Sequence, residues 1–326
     1  MKFLSYLLFQ IDEARRYIED GRLEHLRLAF LLLDNAAEIQ MDRCIKRDLQ
    51  RDKYNENLRT TLLSLPIKLP PTMQELADWE PLTSSEKYKL DRLFNEKVDY
   101  MVGRGKHLEA GLANPLKYLH RYRNEAYHRA EVRAETIKTA SLILLEINCQ
   151  MILSVSPGPR LVSSDEDYSW FEERFHTNRF ASIDIGLIAN EIRSGLLPSD
   201  ETVATTLADH LQDRFSYLNE SLESIVENSR LKDREDAFNE SQYYAESQRS
   251  AHGLSRSSFQ PKYSLHSIRE MESQLPQIRN APNRLEAFNR FAAIEIALEP
   301  VEECVSKLAD WIEEEIQLEI DIARGK

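Results

Sequence analysis

The fold is decided first by the segment that runs from residue 23 to residue 47, LEHLRLAFLLLDNAAEIQMDRCIKR. Its apolar residues recur at alternating spacings of three and four, the repeat that places them on one face of an α-helix. We therefore predict one long helix from Gly21 to about Asn57, with its apolar face in a helical core. The residues of that face are Leu26, Phe30, Leu33, Ala37, Met41 and Cys44.

The rest of the chain carries further helix signals. A capping cluster at residues 83–86 predicts a helix through about Tyr100, and Asn114 followed by Pro115 predicts another helix start. A strongly apolar helix is expected over about residues 129–153, at the centre of a bundle. Glycine is scarce, with 9 in 326 residues, whereas Leu, Glu, Arg and Ala dominate long stretches. These features together predict an all-α fold.

Two helical domains are expected, because 326 residues exceed the usual size of one domain. The helix breakers of residues 154–159 form the best boundary. Charge changes there as well: residues 1–159 carry 24 Lys and Arg against 23 Asp and Glu, and residues 160–326 carry 18 against 32. We therefore predict a helical domain over residues 1–156 and an acidic helical domain over residues 157–326. Only the first suits a polyanion, since phosphate contacts need local cationic side chains.

The sequence carries no signal for export or for a structural metal. Charged residues from Asp12 onward interrupt the apolar N-terminal run, and no later run approaches about 18 uncharged apolar residues. Cys44, Cys149 and Cys304 lie far apart without a CxxC pair, which argues against disulfides and zinc. We therefore expect a cytoplasmic protein that does not enter a membrane and needs neither a metal nor another cofactor.

One short motif carries chemistry, at residues 123–128, Arg-Asn-Glu-Ala-Tyr-His. It matches the pattern Arg-Asn-x-x-x-His and resembles the ribonuclease motif of the HEPN superfamily, found in toxin–antitoxin, abortive-infection and CRISPR-associated defence proteins. The context is similar too, since a long helix precedes the motif and a buried helix follows it. The resemblance covers about residues 20–155 and implies an N-terminal helical bundle of HEPN type.

The resemblance implies metal-independent RNA cleavage, in which a 2′-hydroxyl attacks the neighbouring phosphorus and leaves a cyclic phosphate. His128 is expected to transfer a proton, and Arg123 is expected to bind the phosphate through its permanently charged guanidinium. Asn124 shares a helix face with His128 at spacing four, so it is placed to orient the imidazole or contact RNA. Because the family joins two copies of the motif in one cleft, a homodimer is expected.

Further residues are assigned around the motif. Over residues 104–133, seven Lys and Arg stand against three Glu, which favours RNA binding there. The family also tends to place a polar or acidic residue on the preceding long helix, facing the motif. Asn35 or Glu38 is the expected support for Arg123 or His128. The expected substrate-binding residues are Lys117, His120, Arg121 and Arg129.

Three other sequence features do not change this interpretation. His120 and His128 are about 12 Å apart along a helix, which is too far for one metal ion. The segment from Gly103 to Lys106 lacks the spacing of a Walker A phosphate loop. Ala130 stands where one HEPN variant has a tyrosine that a partner enzyme modifies, so this form of regulation is not expected.

The sequence thus predicts a metal-independent endoribonuclease that cleaves cellular RNA as a toxin or anti-phage effector. The alternative is a catalytically inactive helical RNA-binding or scaffold protein, in which the same basic patch holds RNA or a partner. Besides RNA and a second copy of the chain, a regulatory or antitoxin protein is an expected partner. A regulatory or partner-binding role is expected for the acidic domain, because its charge repels RNA.

Overall fold

The computed structural model describes residues 2–64, 80–128, 134–155, 159–160, 169–175, 183–194, 198–249 and 255–324. For residues 2, 124–128, 159–160, 169, 171–172 and 183 only the backbone is described. These residues are almost entirely helical, which confirms the predicted all-α class. Within them, the strands form one antiparallel pair of two residues each, β1 (Pro159–Arg160) and β2 (Ile183–Asp184). The chain divides into two compact units, Met1–Leu197 and Pro198–Lys326.

The helices of the first unit are α1 (Lys2–Asp20), α2 (Leu23–Leu63), α3 (Ser84–Arg92), α4 (Phe94–Val102), α5 (Ala110–His128), α6 (Ala134–Val155), α7 (Ser169–Phe175) and α8 (Ile185–Arg193). Those of the second unit are α9 (Asp200–Glu227), α10 (Arg234–Arg249), α11 (Leu265–Glu272), α12 (Leu275–Arg279) and α13 (Arg284–Ala323), with a 3₁₀ turn at Arg256–Ser258.

Helix α2 confirms the predicted long helix and organises the first unit. Its predicted apolar face is buried, and α1, α4, α5 and α6 all pack against it. The chain turns from α1 into α2 at Gly21, whose φ of 72° lies in the left-handed region that glycine adopts without steric cost. α2 is therefore the common wall on which the later helices place their side chains.

Helix α6 lies in the core, as its apolar sequence predicts. A buried polar link fixes it to α2, since Gln40 Nε2 donates to Asn148 Oδ1 at 2.7 Å and Asn148 Nδ2 donates to the Leu33 carbonyl at 3.0 Å. Among the described helices, α6 is the one long and apolar enough to span a membrane, although Lys138 and Glu146 interrupt it. Because 78% of its most apolar stretch is buried in the first unit, its composition fits a core helix.

The predicted capping cluster begins α3. Thr83 Oγ1 accepts from the Glu86 N–H at 3.2 Å, and Glu86 Oε2 accepts from the Thr83 N–H at 2.7 Å, which forms a capping box. The predicted single helix through Tyr100 is wrong, because Leu93 is extended and separates α3 from α4. Leu93 still donates its N–H to the Lys89 carbonyl, so the break leaves this helix end satisfied.

The predicted helix start at Asn114 and Pro115 is also wrong. Helix α5 begins at Ala110 and holds Pro115 in its interior. An interior proline removes one backbone hydrogen bond. The added turn, however, carries Leu112, which is 2% exposed, so apolar burial favours the longer helix. Leu116, Leu119 and Tyr122 of the same helix are likewise buried.

The first unit extends beyond the predicted boundary at residue 156. Helix α8 belongs to it, since α8 packs against α6 and α1 and buries its apolar face. Asp184 caps this helix by accepting from the N–H groups of Gly186 and Leu187. The first unit therefore continues past residue 157 as far as Leu197.

The second unit is built on α9 and α13, which pack along each other and against α10 and α12. Helix α13 is continuous over its 40 residues, and residues 228–233 separate α9 from α10. Phe215, Phe238, Phe288 and Phe291 fill the core. Arg214 bridges α9 and α13 by donating to Glu302 at 2.8 Å and to the buried Glu295.

Candidate functional site

Three aspartates of α2 are nearly withdrawn from solvent: Asp34, Asp48 and Asp52 are 0%, 1% and 7% exposed. An ionised carboxylate in such a place is stable only with hydrogen bonds or cationic partners. Each of the three has such partners outside α2, in α4, in α5 or in the segment between them. They form two clusters, one around Asp34 and one around Asp48 and Asp52.

The first cluster joins Asp34 to two residues of α5. His120 Nδ1 lies 2.8 Å from Asp34 Oδ1, and Arg123 Nη1 donates to Asp34 Oδ2 at 2.8 Å. His120 and Arg123 are three residues apart and therefore share one face of the helix. One buried carboxylate thus fixes an imidazole and the guanidinium of the Arg-Asn-x-x-x-His motif side by side. We call these three residues the Asp34 cluster.

Aromatic packing holds the imidazole in place. The Phe94 ring stacks on the His120 ring with centroids 3.6 Å apart and planes 2° from parallel. The neighbouring Tyr122 packs edge-on against Phe30 of α2 at 6.0 Å. The side chains of His120 and Arg123 nevertheless remain 22% and 32% exposed. Both groups are thus fixed at their inner ends and accessible from solvent.

The predicted supporting residues are not the ones that hold Arg123. Asn35 is exposed, and Glu38 accepts a hydrogen bond from Lys97 Nζ at 2.9 Å. The support for Arg123 comes from Asp34, which is not among the predicted site residues. A signal existed, because Asp34 lies four residues after Phe30 and three before Ala37, on the apolar stripe itself. An acid at a buried helix position predicts a cationic partner.

The other predicted site residues are spread along α5. Lys117 donates to Asp99 Oδ1 at 2.5 Å, and Arg121 is exposed. Asn124 and His128 lie in the last turns of the helix, with side chains outside the described residues, as is all of Arg129. Of the predicted residues, the structure therefore brings together Arg123 and His120.

The second cluster was not predicted. His107 Nε2 lies 2.7 Å from Asp48 Oδ2, and the Tyr100 hydroxyl donates to the same oxygen at 3.4 Å. Asp48 Oδ1 has no hydrogen-bond partner among the described residues, and Arg51 approaches it to 3.5 Å. Arg104 Nη2 donates to Asp52 Oδ2 at 3.2 Å. We call these residues the Asp48 cluster.

Burial dominates the protonation of the Asp48 cluster. Burial, reinforced by the negative charges of Asp48 and Asp52, raises the pKa of Tyr100 to about 12, so its phenol stays a hydrogen-bond donor. Burial also raises the pKa of Asp52, although Arg104 and Arg51 oppose this effect. The charged form of Asp52 is therefore less favourable in the folded chain than in water.

A buried lysine separates the two clusters. The Lys97 side chain is 3% exposed and its Nζ lies 2.9 Å from Glu38 and 2.8 Å from Asp42. Burial lowers the pKa of Lys97, but the hydrogen bonds to Asp42 and Glu38 outweigh burial, and the pKa is raised overall. Since Lys97 belongs to α4, this ion pair fixes α4 on α2.

The three cysteines are free thiols and do not belong to either cluster. Burial raises the pKa of Cys44 to about 11 and that of Cys149 to about 12, so both pack as thiols in the core, and Cys304 is half-buried. Among the described residues, no three His, Cys, Asp or Glu side chains lie close enough to hold a metal ion.

Comparison with known proteins finds no match: no family model, no curated protein and no solved structure is significantly similar to this chain.

Proposed function

We propose that this chain is a metal-independent endoribonuclease of HEPN type that cleaves RNA through its 2′-hydroxyl. The observation that carries the proposal is the Asp34 cluster. Asp34 orients the motif arginine from inside the protein while a third of that side chain stays exposed. A guanidinium held in this way is suited to bind a phosphate as negative charge develops on it.

The remaining support comes from the sequence around the cluster. His128 completes the motif at the end of α5 and is the proposed proton-transfer residue. Lys117 and Arg121 lie one turn apart on the same helix and add positive charge for the RNA backbone. We further propose that two chains pair their motifs in one cleft, as members of the HEPN superfamily do.

A direct assay tests the proposal. The full-length protein is incubated with a 5′-labelled single-stranded RNA of random sequence in the presence of EDTA. Cleavage products that end in a 2′,3′-cyclic phosphate are expected. Two controls define the chemistry: the same RNA with 2′-O-methyl groups must remain intact, and a His128→Ala preparation must lose at least about 100-fold in rate.

The alternative function is a catalytically inactive RNA-binding or scaffold protein. It is favoured by the same salt bridge, because a buried Asp34 can hold Arg123 for structural reasons alone. Retention of the labelled RNA without any product would support this alternative and end the ribonuclease proposal. Equal activity in the wild-type and His128→Ala preparations would exclude His128 as the proton-transfer residue and so contradict the assignment of the motif.

A further inference from the structure

We propose that His120, oriented by Asp34, is a second proton-transfer residue of the site. This inference rests on the proposed ribonuclease function and adds a residue that the motif does not contain. Its basis is that His120 and Arg123 share one buried carboxylate. A group that handles protons therefore lies next to the group proposed to bind the phosphate.

The hydrogen bond to Asp34 selects the tautomer of the imidazole. Asp34 has no exposed surface, and its carboxylate accepts from Arg123 Nη1 through one oxygen and faces His120 Nδ1 with the other. The Nδ1 of His120 then carries the hydrogen, and Nε2 on the far side of the ring carries the lone pair. A neutral imidazole in this tautomer is a general base at Nε2. The stacked Phe94 ring limits its rotation.

The proposed reaction needs two proton transfers. Nε2 of His120 takes the proton of the 2′-hydroxyl, and the oxygen forms its bond to phosphorus. The bond from phosphorus to the 5′-oxygen breaks, its electron pair stays on that oxygen, and a second acid supplies a proton there. His128 is the candidate for the second acid. Afterwards His120 gives its proton to solvent and His128 takes one up from solvent, so that charge and atoms balance.

Position supports a division of labour between the two histidines. They are eight residues apart on α5, about 12 Å along the helix axis, so one cannot replace the other at a single oxygen. Arg123 lies between them in sequence, three residues after His120 and five before His128. A phosphate bound at Arg123 would therefore have one histidine on either side along the helix.

The Asp48 cluster supplies a matched control. His107 also lies 2.7 Å from a buried aspartate of α2, but it bonds through Nε2 and belongs to the segment between α4 and α5. Among the described side chains, that aspartate has no hydrogen bond or ion pair with Arg123, the described side chain of the motif. A His107→Ala variant thus removes a histidine–aspartate pair of the same kind without touching the Asp34 cluster.

The experiment compares His120→Asn, His120→Ala and His107→Ala in the full-length protein. The substrate is the same 5′-labelled RNA, in EDTA and under single-turnover conditions. The amide of His120→Asn can still donate to Asp34 near the position of Nδ1, so this variant keeps the contact and lacks the base. We expect His120→Asn to lose at least about 100-fold in rate with unchanged RNA retention, and His107→Ala to stay within about threefold of wild type.

Chemical rescue separates proton transfer from packing. Imidazole added to the buffer should restore His120→Ala by at least about tenfold and leave His120→Asn unchanged, because only alanine leaves room for it. A loss of less than about threefold in His120→Asn, or a lack of rescue in His120→Ala, would overturn the role of His120.

The outcomes also separate this inference from the function on which it rests. If wild-type protein cleaves RNA and His128→Ala does not, while His120→Asn stays active, only the role of His120 fails. A second outcome is that His120→Asn is inactive, imidazole restores His120→Ala, and His128→Ala stays active. His120 is then the base, and the assignment of the motif fails instead. If the wild-type protein cleaves nothing, both proposals fail together.

Discussion

The two aspartate clusters of α2 share a helix, a residue type and nearly complete burial, yet they differ in how their partners are arranged. Asp34 uses each oxygen once, and both partners come from one face of α5. The partners of Asp48 come from α4, from the segment after α4 and from α2 itself, and one of its oxygens has no hydrogen bond within the described part of the chain. A buried acid alone therefore does not mark a site. What distinguishes Asp34 is that its two partners, one of them the motif arginine, lie side by side on one helix face.

The largest expected effect concerns the arginine of the Asp34 cluster. Arg123→Lys should lower the cleavage rate by about 100-fold or more, because a point charge cannot reproduce the planar donor fork on a phosphate. Arg51→Lys is the matched control, since Arg51 pairs with the aspartate of the other cluster. Its rate should stay within about threefold of wild type. Both rates are measured with the labelled RNA in EDTA.

Equal losses in the two arginine variants would mean that the effect does not come from the Asp34 cluster. RNA binding should depend on salt with the same slope in both variants, because lysine keeps the positive charge. Only Arg123→Lys should add a loss of rate at saturating RNA.

A second effect concerns stability. Asp34→Asn should lower the free energy of unfolding by about 2–4 kcal/mol. The asparagine NH₂ group replaces one carboxylate oxygen, so a donor then faces the N–H donors of His120 or Arg123. Asp48→Asn should cost only about 1 kcal/mol, since its amide nitrogen can replace the oxygen that lacks a hydrogen bond.

Urea unfolding measures this difference if the signal comes from one unit. The chain has three tryptophans, of which Trp311 lies in the second unit. In a Trp311→Phe background, tryptophan fluorescence therefore reports on Met1–Leu197. Equal destabilisation by the two asparagine substitutions would show that the arrangement of partners does not matter for stability.

Much of the fold could be predicted from sequence, because it depends on local periodicity and caps. The apolar stripes of α2 and α6 and the capping box at Thr83 each involve residues within a few turns of one another. Pro115 was misplaced for the same reason, since the local signal for a helix start ignored the burial of Leu112. Tertiary packing decided that helix end.

The site was harder, because its contacts join distant parts of the chain. Arg123 was found by its motif, but its partner lies 89 residues away. His120 was assigned to substrate binding and not to a buried carboxylate. The end of the first unit also depends on distant contacts. Composition changes near residue 157, but α8 packs on α6 and α1, and the unit extends to Leu197. Sequence reports where a helix ends more readily than where a core ends.

A third, smaller effect concerns the lysine between the two clusters. Lys97→Met keeps most of the buried side-chain volume and removes the charge. We expect it to lower the free energy of unfolding by about 1–2 kcal/mol, less than Asp34→Asn, because Glu38 and Asp42 are each 39% exposed and can take up water. The same urea assay measures it. A cost above that of Asp34→Asn would place the main electrostatic anchor of α2 at Lys97.

The smallest effect, with the opposite sign, is expected at Asp52. Burial raises the pKa of its carboxyl, so the folded chain favours the protonated form, and the ionised carboxylate at neutral pH works against folding. Asp52→Asn should therefore leave the stability at pH 7 unchanged or increase it by less than about 1 kcal/mol. Arg104 keeps a partner in the variant, since it also donates to the Glu80 carbonyl at 2.7 Å.

As pH falls through the raised pKa of Asp52 toward the ordinary value of 3.8, the wild-type chain takes up the proton and gains stability, and the advantage of the variant disappears. Urea unfolding of both proteins at pH 7 and near pH 4 measures this convergence. A clear loss of stability in Asp52→Asn at pH 7 would mean that the ion pair with Arg104 outweighs burial, and that the Asp48 cluster stabilises α2 as strongly as the Asp34 cluster does.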